Sequence, residues 1–172
     1  MLDSLPPHRL AGGSGPVIVL INGAGVGMRS WRRVEPGLAG LGRVLLYDRT
    51  LPPGPRAALP PLGAHHVAQL RGLLAALGLP PPYVLVAHSL GGLYADLFAR
   101  LHPREVAGLV LVDASHPEQE RRFAPRMNAF GRLFRALFLG WDRLFGPGAV
   151  TEVARMEAIA AEIAAAPPFP DI

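Results

Sequence analysis

The sequence predicts an α/β fold of three layers, a parallel sheet held between helices. Three observations carry that expectation. Apolar runs of strand length recur at residues 16–21, 43–49, 83–87 and 106–112. Segments with helical spacing separate them, so each strand is fed by a crossover, and crossovers of this kind give parallel pairing and right-handed connections. One strand passes straight into a helix through His88-Ser89-Leu90-Gly91-Gly92. With 172 residues, half of them hydrophobic, the chain is long enough for one domain with its own core.

Residues 1–15 are expected to be irregular, with a short edge strand near 8–11. Residues 16–21, Pro-Val-Ile-Val-Leu-Ile, read as a buried strand from their β-branched run. The strand opens into Asn22-Gly23-Ala24-Gly25-Val26-Gly27. Glycine-rich turns after strands can cradle phosphates, which makes a dinucleotide site the rival reading. The glycine spacing is not G-x-G-x-x-G, and only Asp48 offers an acid near the end of the next strand. A helix is expected over 30–41, capped by Ser30, with Pro36 in its first turns. Residues 43–49 form the next strand. Asp48 at its end suits a structural carboxylate that bonds loop amides.

A helix over 65–77 would turn Val67, Leu70, Leu74 and Leu77 inward, and Gly78 stops it. His65 and His66 are adjacent, so they point to different sides of that helix. No third ligand lies nearby, and no metal site is expected. Pro80-Pro81-Pro82 leads into the strand at 83–87. Small residues at Gly91 and Gly92 let the following helix approach the sheet closely. That helix, over 93–101, sets Leu93, Leu97 and Leu101 on one face with Tyr94 and Phe98 beside them. Ser89 then lies on the turn above the sheet, and its backbone is expected at positive φ. The strand at 106–112 ends in Asp113-Ala114-Ser115-His116.

From residue 117 the character changes. Phe123, Met127, Phe130, Phe134, Leu137, Phe138, Trp141, Leu144 and Phe145 recur at helical spacing among arginines. A basic aromatic helix can also lie on a membrane surface, the alternative here. A second helix is expected over 151–166, capped by Thr151.

Composition narrows the classes of function. There is no cysteine, so a disulfide framework and a thiolate metal site are excluded. All 17 basic residues are arginine, scattered through a chain rich in Ala, Gly, Pro and Leu. The net charge of +4 therefore does not point to nucleic acid, and none is expected as a partner. No apolar run approaches the ~20 residues of a membrane span. The first 15 residues have no apolar h-region and do not read as a signal peptide. The default expectation is a cytoplasmic protein.

The string Tyr83-Val-Leu-Val-Ala-His-Ser-Leu-Gly-Gly92 resembles the nucleophile elbow of the α/β-hydrolase family, with Ala87 in place of the first glycine of Gly-x-Ser-x-Gly. Asn22-Gly23-Ala24-Gly25 is similar to the family's His-Gly-x-Gly stretch, with Asn22 in place of His. Tyr47-Asp48-Arg49 and Val-Ala-Gly-Leu-Val-Leu-Val-Asp-Ala from 106 to 114 are further family-like strings. The resemblance implies an α/β-hydrolase fold with residues 1–116 as its core and 117–172 as a helical cap. It implies that Ser89 is the nucleophile and that the N–H groups of Ala24 and Leu90 hold the oxyanion. His88 is read as a packing residue of the elbow. In the family the acid and base follow later strands. The seventh and eighth strands have no counterpart here, so the chain is expected to be truncated after the cap helices. His116, oriented by Asp113, is the one substitute base the sequence offers.

The expected function is hydrolysis of a small ester or related acyl compound, with no cofactor or metal. The alternatives are a haloperoxidase, aminopeptidase or acyltransferase on the same fold, and a non-catalytic module that binds a small ligand. The strand at 106–112 would leave one edge unpaired, so either self-association through that edge or cap helices folded back over it is expected.

Overall fold

The structure, a computed structural model, describes residues 5–51, 62–119, 122 and 155–171. Five strands form one sheet: β1 (His8–Ala11), β2 (Val17–Ile21), β3 (Arg43–Tyr47), β4 (Tyr83–His88) and β5 (Val106–Val112), in the order β1-β3-β2-β4-β5. Four of them pair in parallel, as the crossovers require. β1 departs from that pattern by pairing antiparallel with β3. Too few residues separate β1 from β2 for a crossover. The chain instead reverses through Gly12 (φ 78°) and Gly15 (φ 107°). A Cβ at Gly12 would lie 2.0 Å from the Gly42 carbonyl oxygen.

The three inner strands alternate strictly. Val17, Val19, Ile21, Leu45, Tyr47, Tyr83, Leu85 and Ala87 bury on one face. Ile18, Leu20, Val44, Leu46 and Val86 bury on the other. Both faces are apolar because both are covered, which makes the strands read as continuous hydrophobic runs. On the first face lie α2 (Leu62–Ala76), α3 (Gly91–Leu101) and α4 (Met156–Ala165), giving the larger core. On the second lie a 3-10 turn at Met28–Trp31 and the short α1 (Glu35–Ala39). The result is the expected three-layer α/β architecture.

The single helix expected over 30–41 is two short pieces. Pro36 explains the break: it lacks an N–H and its ring clashes with the preceding turn, so it is tolerated only where a helix begins. It occupies the first turn of α1. Ser30 lies inside the 3-10 turn, and Gly27 takes the capping position. α2 turns Val67, Leu70, Leu73 and Leu74 inward. α3 buries Leu93, Tyr94, Leu97 and Phe98, while Leu101, at its end, is exposed.

The first cap helix expected beyond residue 117 lies outside the described residues, apart from 117–119 and 122. Thr151 also lies outside them. The second helix is described from Met156, with Arg155 at its N-cap. Its Ile159 and Ile163 are fully buried in the larger core beside α2 and α3. The Glu162 carboxylate accepts the N–H groups of Gly63 (3.1 Å) and Ala64 (2.7 Å). These are among the first amides of α2, which have no partner within the helix. An acid there also opposes the positive end of the helix dipole, for about 1 kcal/mol. Among the described residues, no helix is long and apolar enough to cross a membrane.

Register gathers the carboxyl ends of the strands. Ile21 lies opposite Ala87, and His88 opposite Val112. The loop after β2, the turn after β4 and the turn after β5 therefore meet at one edge of the sheet, where ligands bind in open α/β sheets.

Candidate active site

Ser89 sits between the last residue of β4 and the first turn of α3 with φ 51°. For a non-glycine residue this left-handed conformation costs about 1–3 kcal/mol and persists only when its surroundings enforce it. Here the neighbouring backbone does so. The Ser89 N–H donates to the Val112 carbonyl (3.2 Å), and its own carbonyl accepts from Gly92 (3.0 Å) and Ser115 (2.9 Å). The end of β5 is thus stitched to the turn.

The two glycines after the turn are required by close approach. A Cβ on Gly91 would lie 2.5 Å from the Asn22 carbonyl oxygen and 2.7 Å from that of Ile21. One on Gly92 would lie 2.5 Å from the Ala114 Cβ. Leu90, between Ser89 and these glycines, is buried and occupies the N-cap position of α3. Gly23 lies close to the serine: a Cβ there would be 3.2 Å from the Ser89 Cβ and 3.0 Å from the His88 Nδ1. Ala24, the next residue, is half-buried against the larger core. His88 itself turns its ring toward Trp31, edge to face at 6.4 Å.

Side chains beneath the loop fix its start. Asn22 is buried, donates to the Tyr47 carbonyl (2.8 Å) and accepts the Trp31 indole N–H (2.6 Å). The family-like histidine of that position is replaced by a residue that ties β2 to β3. Asp48 accepts the Met28 N–H at 2.6 Å, the structural role its position suggests. Arg49 bonds the loop's backbone carbonyls at Asn22 and Gly23. Sequence reasoning missed that contact, although the Tyr-Asp-Arg string was in view. The Gln69 amide grips Thr50 at its carbonyl (3.2 Å), hydroxyl (2.6 Å) and N–H (3.2 Å), fixing the chain as it leaves β3.

A pocket of about 260 Å³ opens beside the loop, lined by Gly25, Val26, Gly27, Asp48, Arg49, Leu51 and His66. His66 is 1% exposed and packs edge to face on Tyr94 at 4.8 Å. Burial, reinforced by the charge of Arg49, lowers its pKa to about 3, so it is neutral at ordinary pH.

His116 and Asp113 lie just beyond β5. Asp113, like Ser89, has a positive φ, 45°. His116 is exposed, and its Nδ1 accepts the Glu118 N–H at 3.0 Å. An accepting Nδ1 leaves the proton of the neutral ring on Nε2.

Comparison with known proteins agrees with this architecture. The profile of the alpha/beta hydrolase family matches residues 18–172. A haloalkane dehalogenase of Sphingobium indicum is 32% identical over 123 residues, which is 63% of this chain and 41% of the dehalogenase. A pimeloyl-[acyl-carrier protein] methyl ester esterase of Aromatoleum aromaticum is 36% identical over 107 residues, 58% of this chain and 38% of the esterase. Among solved structures, a marine microorganism esterase superposes with a TM-score of 0.58 at 16% identity, covering 91% of this chain and 74% of that one. The match thus spans less than half the length of these curated relatives.

Proposed function

This chain belongs to the alpha/beta hydrolase family, and from that premise we propose that Ser89 is the nucleophile of an acyl-transfer site acting on a small ester or related acyl compound. The observation that carries the reading is the backbone of Ser89, at φ 51° between a parallel strand and a helix, facing the Gly23 turn. Strain at a non-glycine residue, enforced from three sides, suits a side chain that must stand clear of the sheet. The likeness to a methyl ester esterase supports an ester as the substrate class.

In this reading the Ser89 Oγ forms a bond to the carbonyl carbon and the carbonyl π pair moves to oxygen. Two N–H groups receive that charge. Leu90 supplies one from the N-cap of α3, where the amide has no partner within the helix. Ala24 supplies the other from the loop after β2. Each such donor is worth roughly 3 kcal/mol in the transition state. The hydroxyl proton must pass to a base. His116 takes it at Nδ1 once the Glu118 contact opens, with Asp113 orienting the ring through its Nε2–H.

Hydrolysis of a short p-nitrophenyl ester tests the reading. Turnover that disappears in Ser89→Ala supports it, and turnover unchanged in Ser89→Ala contradicts it. His116→Ala reports in the same assay whether that ring is the base.

A further inference from the structure

Arg49 grips two consecutive backbone carbonyls of the Asn22–Gly27 loop. Its Nη1 donates to the Asn22 oxygen at 2.5 Å and its Nη2 to the Gly23 oxygen at 2.9 Å. The guanidinium also lies over the Tyr94 ring, 4.9 Å from the centroid. Tyr94 stands on α3, the helix that begins at the Ser89 turn. The planar fork of arginine can span two acceptors and stack on an aromatic face at once, which a lysine ammonium cannot do.

The consequence lies in the peptide plane. In a trans peptide the carbonyl and the N–H point in opposite directions. The Gly23 carbonyl and the Ala24 N–H belong to one plane, so turning the carbonyl onto Arg49 turns the N–H away from it. A glycine at position 23 allows this peptide more orientations than a residue with a Cβ would. Gly23 also approaches Ser89. The two fork nitrogens are committed to the loop, so Arg49 acts on the backbone although it also lines the neighbouring pocket.

We propose that Arg49 is a positioning residue that sets the Gly23–Ala24 peptide so that the Ala24 N–H is presented to the oxyanion. The proposal rests on Ser89 being the nucleophile. Its effect is read on the reaction at Ser89.

The test uses the full chain and a fluorophosphonate. The Ser89 Oγ–P bond forms, the P–F bond breaks, fluoride leaves and the hydroxyl proton goes to water or a base. Modification at Ser89 is timed by mass spectrometry against modification at Ser115 in the same sample. Arg49→Ala is expected to slow Ser89 labelling by about 10²-fold, the scale of a misplaced or lost donor. Arg49→Lys is expected to slow it by about 10-fold or more, because one ammonium cannot hold both carbonyls. The Ser115 rate should stay the same, and methylguanidinium should restore the rate of Arg49→Ala, which a merely destabilised fold would not allow. Should Arg49→Ala fail to fold, Arg49→Lys carries the comparison. Selective wild-type labelling of Ser89 with equal rates in the folded Arg49 variants overturns the proposal and leaves the nucleophile reading intact. A Ser89 that labels no faster than Ser115 in the wild type overturns both.

Discussion

Acid should destabilise this protein through His66. The ring is buried and packed against Tyr94, and the charge of Arg49 adds to the effect of burial. Its pKa falls from 6.5 in the unfolded chain to about 3 in the fold, with burial the largest cause. Between those values the unfolded state binds a proton that the folded state does not, so stability rises with pH there. The stabilisation is fully present above pH 6.5 and is lost as the pH falls toward 3. The slope approaches 1.4 kcal/mol per pH unit, so moving from pH 7 to pH 5 should remove about 2 kcal/mol. That is a large share of the roughly 5–15 kcal/mol typical of a domain. Urea midpoints for the wild type and His66→Phe, measured from pH 7 to pH 5, isolate this contribution from carboxylates common to both. The expected result is that the gap between the two proteins shifts by about 2 kcal/mol in favour of His66→Phe as the pH falls. A gap that stays constant over this range refutes the reasoning.

Two further outcomes follow from the packing. Gly91→Ala places a Cβ 2.5 Å from the Asn22 carbonyl oxygen, a backbone atom held by β2 and by Arg49, so it should lower stability by about 1–3 kcal/mol, read as a reduced urea midpoint. β5 ends the sheet among the described residues and exposes Val110 (48%), Leu111 (55%) and Val112 (41%), so we propose that the 172-residue chain self-associates along this edge. Sedimentation velocity should show mass rising with concentration and falling back in Leu111→Lys, and a monomer at every concentration would contradict the proposal.

Much of the fold is legible in the sequence because the physics behind it is local. β2, β3 and β4 alternate residue by residue between two covered faces, and that covering makes their runs continuously apolar. The turn at Ser89 is legible because Gly91 and Gly92 must follow it for α3 to reach the sheet. Part of what escaped depends on distant partners. α2 begins at Leu62, earlier than expected, with its first amides bonded to Glu162, 99 residues beyond Gly63. Nothing near Leu62 encodes that contact. The single helix expected over 30–41 breaks because Pro36 fits only where a helix begins, not six residues after a cap at Ser30. In the site, Ser89 and the glycine loop could be found from motif and spacing. The grip of Arg49 on two carbonyls could not, since backbone acceptors leave no trace in side-chain pattern. Adjacent histidines read as pointing to different sides of a helix, and the fold shows that His66 is the one buried against Tyr94.

The central claim is that the strained turn makes Ser89 chemically distinct from the other serines of the chain. The direct measurement is a peptide map after exposure to a fluorophosphonate, comparing occupancy at Ser89 with that at Ser30 and Ser115 in one sample. Even with the proton acceptor absent, positioned donors and binding can leave about 10³-fold over the solution rate. The account predicts modification concentrated at Ser89, with Ser30 and Ser115 nearly untouched. Equal slow modification of all three serines, or a preferred site other than Ser89, would contradict it.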